Sequence, residues 1–191
     1  VADFRYSIPG WFNYSDIYID AVNSVDYNGH FVEIGSFLGK STVFMAYIIK
    51  AINKNIKFDA IDLWDITLVS DKDRESYIKL LKSRSIESRD LYLIFLNNMV
   101  RYDVHDIVNP IKAYSIEAAN NYENNSLDFV FIDTDHTYES MTKELEAWYP
   151  KIKPNGTLAG HDYDWVGVRK AVDEKFGKNN ECSSTSWRII K

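Results

Sequence analysis

The sequence predicts an α/β protein in which a mainly parallel sheet is covered by helices on both faces. Three observations point to it. Short apolar runs at His30–Ile34, Lys57–Leu63, Pro110–Tyr114, Leu127–Ile132 and Thr157–Gly160 read as buried strands. Stretches with apolar residues at helical spacing separate them, and strands alternating with helices build parallel βαβ units. The first unit is punctuated by glycines, Gly35 and Gly39, between strand and helix.

In chain order, Ser15 to Ser24 with its IYIDAV pattern is a helix that ends before Asn28-Gly29, and His30–Ile34 is the first strand, running into Gly35. Ser41 to Ile52 carries Val43, Phe44, Ala46, Tyr47, Ile48 and Ala51 at helical spacing, and Lys57–Leu63 is the second strand. Asp71–Arg84 and Ser88–Tyr102 are two helices with a polar break between them, burying Leu80, Leu81, Leu93, Phe95, Leu96 and Met99. Leu127–Ile132 is the strongest strand, Tyr138–Tyr149 an amphipathic helix, and Thr157–Gly160 a strand after the Pro154-Asn155-Gly156 turn. Val166–Phe176 reads as a helix, Gly177–Glu181 as a polar turn and Ser184–Ile190 as a closing strand.

A chain of 191 residues, 46% of them hydrophobic, is expected to form one domain with a substantial core. The single cysteine, Cys182, has no internal partner and reads as an inert thiol in a reducing compartment. No apolar run approaches the roughly 18 to 20 residues of a membrane span, and the opening VADFRYSIPG lacks the basic and apolar blocks of a signal peptide. A cytoplasmic protein without membrane contact is expected. The formal charge is −6, with Lys and Arg scattered among Asp and Glu, so a small-molecule partner is favoured over nucleic acid. A homodimer is compatible with the sequence.

The loop FVEIGSFLGKS separates three ligand classes. A dinucleotide site needs G-x-G-x-x-G, but Glu33 occupies the first position and would face a pyrophosphate with negative charge. A Walker A loop needs four residues between Gly and Gly-Lys-Ser, and GSFLGKS has three. The loop instead resembles the E/D-x-G-x-x-x-G motif of class I S-adenosylmethionine-dependent methyltransferases, which it matches without gaps. That resemblance implies that the backbone at Gly35 and Ser36, with Gly39 and Ser41 beyond it, approaches the methionine moiety, and that Glu33 orders the site near the cofactor's amino group. Glycine at a strand-to-helix turn is also what any βαβ unit requires.

Asp62 ends the second strand about 25 residues beyond the first glycine, where a carboxylate can accept both hydroxyls of a ribose. Leu63 and Trp64 offer an apolar surface to adenine, or are core. Ser115 falls where the methyltransferase resemblance places a contact to the adenine edge; it also reads as an N-cap satisfying the Ala118 N–H.

The fourth and fifth strands end in FIDTDHTYES and TLAGHDYDW, which deliver Asp133, Asp135, His136 and Tyr138, then His161, Asp162 and Asp164, to one edge of the sheet. Carboxylates with two imidazoles suit either a hard metal or general base catalysis. Capping of the next helix by Asp133 or Asp135 is the plainer alternative. These ends resemble the small metal-assisted O-methyltransferases, including catechol O-methyltransferase and sugar-modifying relatives. The resemblance implies that Asp133, His161 and Asp162 hold a divalent metal, Mg or Mn, and that His136 stands where the catechol enzymes have a lysine base. A neutral histidine accepts a hydroxyl proton near pH 7. Imidazole suits Zn, Fe or Mn better than Mg, so His161 is alternatively the base with no metal present.

The likeness runs from Gly10-Trp11-Phe12 to the final strand. It implies a Rossmann-like, mostly parallel seven-stranded sheet in the order 3-2-1-4-5-7-6, with the seventh strand antiparallel and the sixth very short or absent around Lys178 to Cys182. The implied reaction is methylation of a hydroxyl on a sugar or similar small molecule. Trp11, Phe12 and Tyr14 would close over the site and Tyr163 with Trp165 would form an aromatic wall, unless they are core or dimer contacts. Two rival readings make different demands. A P-loop phosphotransferase depends on Lys40, which otherwise is a solvated side chain at a helix start; a non-catalytic Rossmann-like binding module tolerates loss of His136 and His161.

Overall fold

The structure is a computed structural model that describes residues 3–68, 71–87, 90–178, 180–183 and 185–191. Seven strands form one sheet: β1 (Asn28–Ile34), β2 (Asn55–Asp62), β3 (Val108–Lys112), β4 (Leu127–Ile132), β5 (Ile152–Gly160), β6 (Glu181–Ser183) and β7 (Ser186–Ile190). Their order is β3-β2-β1-β4-β5-β7-β6, as the resemblance implied. The first five strands pair in parallel, and β7 runs antiparallel to both β5 and β6. The helices are α1 (Phe4–Ser7), α2 (Ser15–Ser24), α3 (Lys40–Ile52), α4 (Asp71–Ser83), α5 (Leu91–Arg101), α6 (Ser115–Ala119), α7 (Tyr138–Trp148) and α8 (Val166–Phe176). Among the described residues no helix is long and apolar enough to cross a membrane.

Strand alternation sorts the core into two layers. In β4, Phe129 and Phe131 point to one face and Val130 and Ile132 to the other. The phenylalanine face packs against Tyr18 and Val22 of α2, Met45 and Ala46 of α3, Leu81 of α4 and Phe95 of α5. The other face is covered by Ala118 of α6, Leu145 of α7 and Val172 of α8. Each of these large buried side chains contributes roughly 1.5–3 kcal/mol of transfer free energy.

Most differences from the sequence reading lie at element ends. The first strand begins at Asn28 rather than His30, and the chain bends earlier, at Val25 and Tyr27. Pro154-Asn155-Gly156 does not interrupt the sheet; β5 begins at Ile152, and the turn residues form an irregularity where pairing jumps from Leu127–Ile152 to Phe129–Thr157. The third strand lies earlier than read, with Pro110 in its middle, which is tolerated because β3 is an edge strand. Ser88 and Ser184, where a helix and a strand were placed to start, lie outside the described residues. The short helix α1, capped by Asp3 accepting from the Arg5 N–H, carries no apolar repeat long enough to read.

Between β1 and β4 the strand order reverses, so the crevice for a ligand opens at the carboxyl ends of these two strands. Gly35 N–H donates to Ile61 O of β2 and Asp133 N–H to Ile34 O of β1, which stitches the ends of β2, β1 and β4 side by side.

Candidate active site

The glycine loop is built for close approach. Gly35 has φ +87°, and a Cβ there would lie 1.8 Å from Asp133 O. Gly39, also at φ +87°, has no room beneath Met99 Cε, 2.4 Å from where a Cβ would sit. Glu33 is buried and accepts from Tyr18 Oη at 2.7 Å, from Ser36 Oγ at 2.8 Å and from Thr42 Oγ1. Three hydroxyls therefore satisfy this buried carboxylate, and it lines neither cavity described below. Its influence on a ligand passes through Ser36 and the loop.

Asp62, at the end of β2, accepts from Phe37 N–H at 2.8 Å and Trp64 N–H at 2.6 Å, and the Trp64 indole donates to Phe37 O at 2.6 Å. Phe37 and Trp64 both sit in the left-handed region, at φ 46° and 48°. One carboxylate thus holds two strained loop residues, each costing on the order of 1–3 kcal/mol. Burial raises the Asp62 pKa against the pull of these amide bonds. Trp64 is both core, packed on Tyr92 and Phe95, and cavity wall.

Ser115 is not the N-cap; that position is Tyr114, and Ala118 N–H bonds Tyr114 O. Its hydroxyl instead accepts from Trp148 Nε1 at 2.9 Å and donates to Glu144. Capping of α7 falls to Thr137, which accepts from Ser140 N–H, with Asp135 bonding Thr137 N–H at 2.7 Å. Asp133 is left for the site.

Asp133, His136 and Asp162 converge, with one ligand atom from each lying within 4.8 Å of the others. His136 Nε2 lies 2.8 Å from Asp162 Oδ2, and its ring stacks on Trp165 with centroids 4.4 Å apart. His161, which the sequence placed in this trio, stands behind it. Its Nδ1 meets Asp162 Oδ2 at 3.0 Å and is 3.8 Å from Asp133, while Nε2 meets Asn13 Oδ1 at 2.9 Å and Thr185 Oγ1 at 2.8 Å. Tyr14 donates to Asp133 at 3.2 Å.

Burial pushes Asp133 up to about 6, with the Asp162 charge adding to it and the two imidazoles and Tyr14 opposing. Burial also acts to raise Asp162, but the hydrogen bonds and charges of His136 and His161 overcome it and hold that carboxyl well below the usual range. For His161, desolvation is outweighed by Asp162, Asp133 and Asp164, so its pKa is raised.

Two cavities of about 300 Å³ each open here. The first is lined by Trp11, Tyr14, Ser36, Lys40, Ser41, His161, Asp162 and Trp165. The second runs past Asp62, Leu63, Trp64, Ser115 and Glu144. They share Gly35, Phe37, Tyr77, Asp133 and His136 as common walls. Lys40 is not a solvated helix-start residue; its Nζ reaches Gly10 O at 2.9 Å and ties the N-terminal segment over the first cavity. Phe12 and Tyr163 line neither: Phe12 packs on Phe44, and Tyr163 bonds Asp173.

Sequence reasoning missed Tyr18, Thr42, Asn13, Thr185 and Glu144. For Glu144 a signal existed, because it lies on the apolar stripe Met141, Leu145, Trp148 where a charge is out of place. The others carry no local pattern.

Residues 32–163 match the profile of a family described as a methyltransferase domain. The chain belongs to that family. It is an S-adenosylmethionine-dependent methyltransferase. A search of curated proteins finds no match to its sequence. Among solved structures, this methyltransferase is similar to the O-methyltransferase NovP, at 20% identity and a TM-score of 0.67, over 93% of this chain and 78% of that one. It is also similar to CalS11, a TDP-rhamnose 3′-O-methyltransferase of calicheamicin biosynthesis, at 15% identity and TM-score 0.59, over 92% and 76%. Cofactor-bound Rv0187 from MTB is 14% identical with TM-score 0.60, over 90% and 71%. At these identities the likeness is one of fold.

Proposed function

We propose that this methyltransferase transfers a methyl group to a hydroxyl of a small acceptor, a sugar or similar compound, and that the acceptor's proton leaves through His136. The carrying observation is that the two cavities meet at Asp133 and His136. One cavity has the ribose-type carboxylate Asp62 and apolar walls at Leu63 and Trp64. The other has the carboxylates and imidazoles that hydroxyl chemistry requires. The sulfonium of S-adenosylmethionine supplies the reactive methyl group when bound. The chain's own work is alignment and proton removal. Gly35 admits the ligand to within contact of the backbone, Ser36 and Ser41 shape the inner wall, and Asp62 keeps lone pairs for ribose hydroxyls, while Gly39, expected at the cofactor, lines neither cavity and instead makes room for Met99 and Phe95. Asp162 and the Trp165 face hold the His136 ring at the junction, and Asp162 stabilises the imidazolium that forms. His161 is a positioning residue, braced by Asn13 and Thr185, that fixes Asp162.

The same trio fits a divalent cation, since two carboxylates and an imidazole make a mixed oxygen and nitrogen donor set. Asp133, His136 and Asp162 would hold it, and it would polarise the acceptor oxygen. The likeness of fold to NovP and CalS11, described as O-methyltransferases, supports an oxygen acceptor.

Calorimetric titration with S-adenosylmethionine, S-adenosylhomocysteine, ATP and NAD, with and without Mg or Mn, tests the cofactor. Micromolar binding of the first two, lost in Asp62→Ala, is expected; preference for ATP overturns the reading. Mn(II) titration followed by electron paramagnetic resonance tests the trio. A bound signal that Asp162→Asn abolishes means a metal site, and no bound signal leaves His136 to act alone.

A further inference from the structure

The first cavity holds a cation that neither the proton path nor the Asp62 end employs. Its walls include Asp133 and Asp162 at the junction and, beside the N-terminal segment, Lys40. Lys40 is poorly placed for stability. It opens α3, whose first turn carries no acidic side chain, so its ammonium stands at the positive end of the helix. Burial and then the like charge of Arg84 lower its pKa. Among the described residues no carboxylate pairs with it, and Gly10 O takes one of its three N–H donors. A carbonyl needs a donor and not a charge, so the tie to Gly10 does not account for an ammonium there.

Arg84 follows two turns after Tyr77, a wall of both cavities, and the stretch from Ser76 to Ile86 carries Lys79, Lys82 and Arg84 with no acidic residue. Lysines near the end of α4 complement the helix dipole, but that account does not reach Lys40 at the start of α3. In a chain of formal charge −6, cations gathered at one end of a cavity make a local field for an anion. Ser36 and Ser41 of the inner wall are buried, whereas Lys40 is half-buried and Arg84 exposed, so the positive end is the outer one.

We propose that the methyl acceptor is itself an anion, carrying a phosphate or carboxylate that pairs with Lys40 while its hydroxyl lies at His136. The proposal rests on the hydroxyl-acceptor reading above and adds the acceptor's charge. Arg84 draws the anion towards the cavity, and the two ends of the cavity then orient it, because Asp133 and Asp162 repel the group that Lys40 attracts. A neutral compound of the same shape gains nothing from Lys40.

Calorimetric titration of inorganic phosphate and of acetate into the complex with S-adenosylhomocysteine tests the site. The wild type is expected to bind one of them with a dissociation constant of roughly 1 mM, the preferred probe telling a phosphoryl from a carboxylate acceptor. Lys40→Gln, which keeps a donor for Gly10 O and loses the charge, should weaken that binding by about tenfold. Arg84→Gln, outside the cavity, should weaken it by about threefold, and added salt should shrink the difference. S-adenosylhomocysteine affinity should stay within about twofold of the wild type in both variants. No anion binding by the wild type, or equal anion binding in all three proteins, overturns the proposal. So does a loss of S-adenosylhomocysteine affinity in Lys40→Gln with anion binding unchanged, which assigns Lys40 to the cofactor's own carboxylate. If Lys40→Gln loses both ligands or shows no cooperative melting transition, Arg84→Gln decides. Failure of the wild type to bind S-adenosylhomocysteine overturns the cofactor reading alone, because the anions are then titrated into the free protein and the same variants decide.

Discussion

At the scale of single residues, Gly35 is the position where the least chemistry makes the largest difference. A methyl group there would collide with the Asp133 carbonyl and force the wrong φ, so Gly35→Ala should destabilise the protein by about 3 kcal/mol or more and abolish cofactor binding. Chemical denaturation followed by circular dichroism reads the first effect. Glu144 gives a pH-dependent counterpart. Its folded pKa, about 7, lies above the ordinary value of 4.5, so the native state holds this proton more tightly than the unfolded chain. Stability from this group is present below about pH 4.5 and declines as pH rises to about 7, then stays flat. Glu144→Gln cannot titrate; its stability relative to wild type should therefore rise between pH 5 and pH 8 by on the order of 1–3 kcal/mol, and a constant difference would refute the assignment. The motif residues Gly35, Gly39, Asp62, Asp133 and His136 could be read from spacing because strand ends deliver them to one edge. Their partners could not. Tyr18, Asn13 and Thr185 reach the site across the fold, and no sequence period records which hydroxyl turns toward Glu33 or His161.

At the scale of elements, α7 connects the fourth strand to the site and begins where Thr137 caps it. Thr137→Ala removes that acceptor from Ser140 N–H and should cost about 1 kcal/mol, read as a lowered thermal midpoint, with a further loss of order at His136 one residue upstream. The strands and helices that could be read best were those whose apolar period ran uninterrupted, β4 and α8 among them. The elements read least well were those whose turn residues serve another purpose. Pro154-Asn155-Gly156 has the composition of a turn, but neighbouring strand pairing absorbs it as an irregularity within β5, which local chemistry does not announce. The third strand reads from Pro110, but it begins at Val108 with Pro110 in its middle, and only the sheet order shows that one side of this edge strand needs no ladder donor.

At the scale of the whole molecule, both cavities sit at the reversal of strand order and share five residues, so ligand binding and folding are coupled. S-adenosylhomocysteine at a hundred times its dissociation constant should stabilise the native state by about 2.7 kcal/mol, and thermal melts at graded ligand concentrations should show it, with no shift in Asp62→Ala. Alternation of strand and helix made the mainly parallel sheet readable, whereas the order of its seven strands came from the resemblance to class I methyltransferases and not from any local pattern. The clamp on His161 has one more consequence. Asn13 and Thr185, 172 positions apart, bond each other as well as the imidazole. During synthesis the sheet from β1 to β5 can assemble while the chain is still emerging, but Asp162 acquires its final brace only after Thr185 has left the ribosome. The brace on Asp162 is thus added only after the strand ends that carry Asp133 and Asp162 have been made.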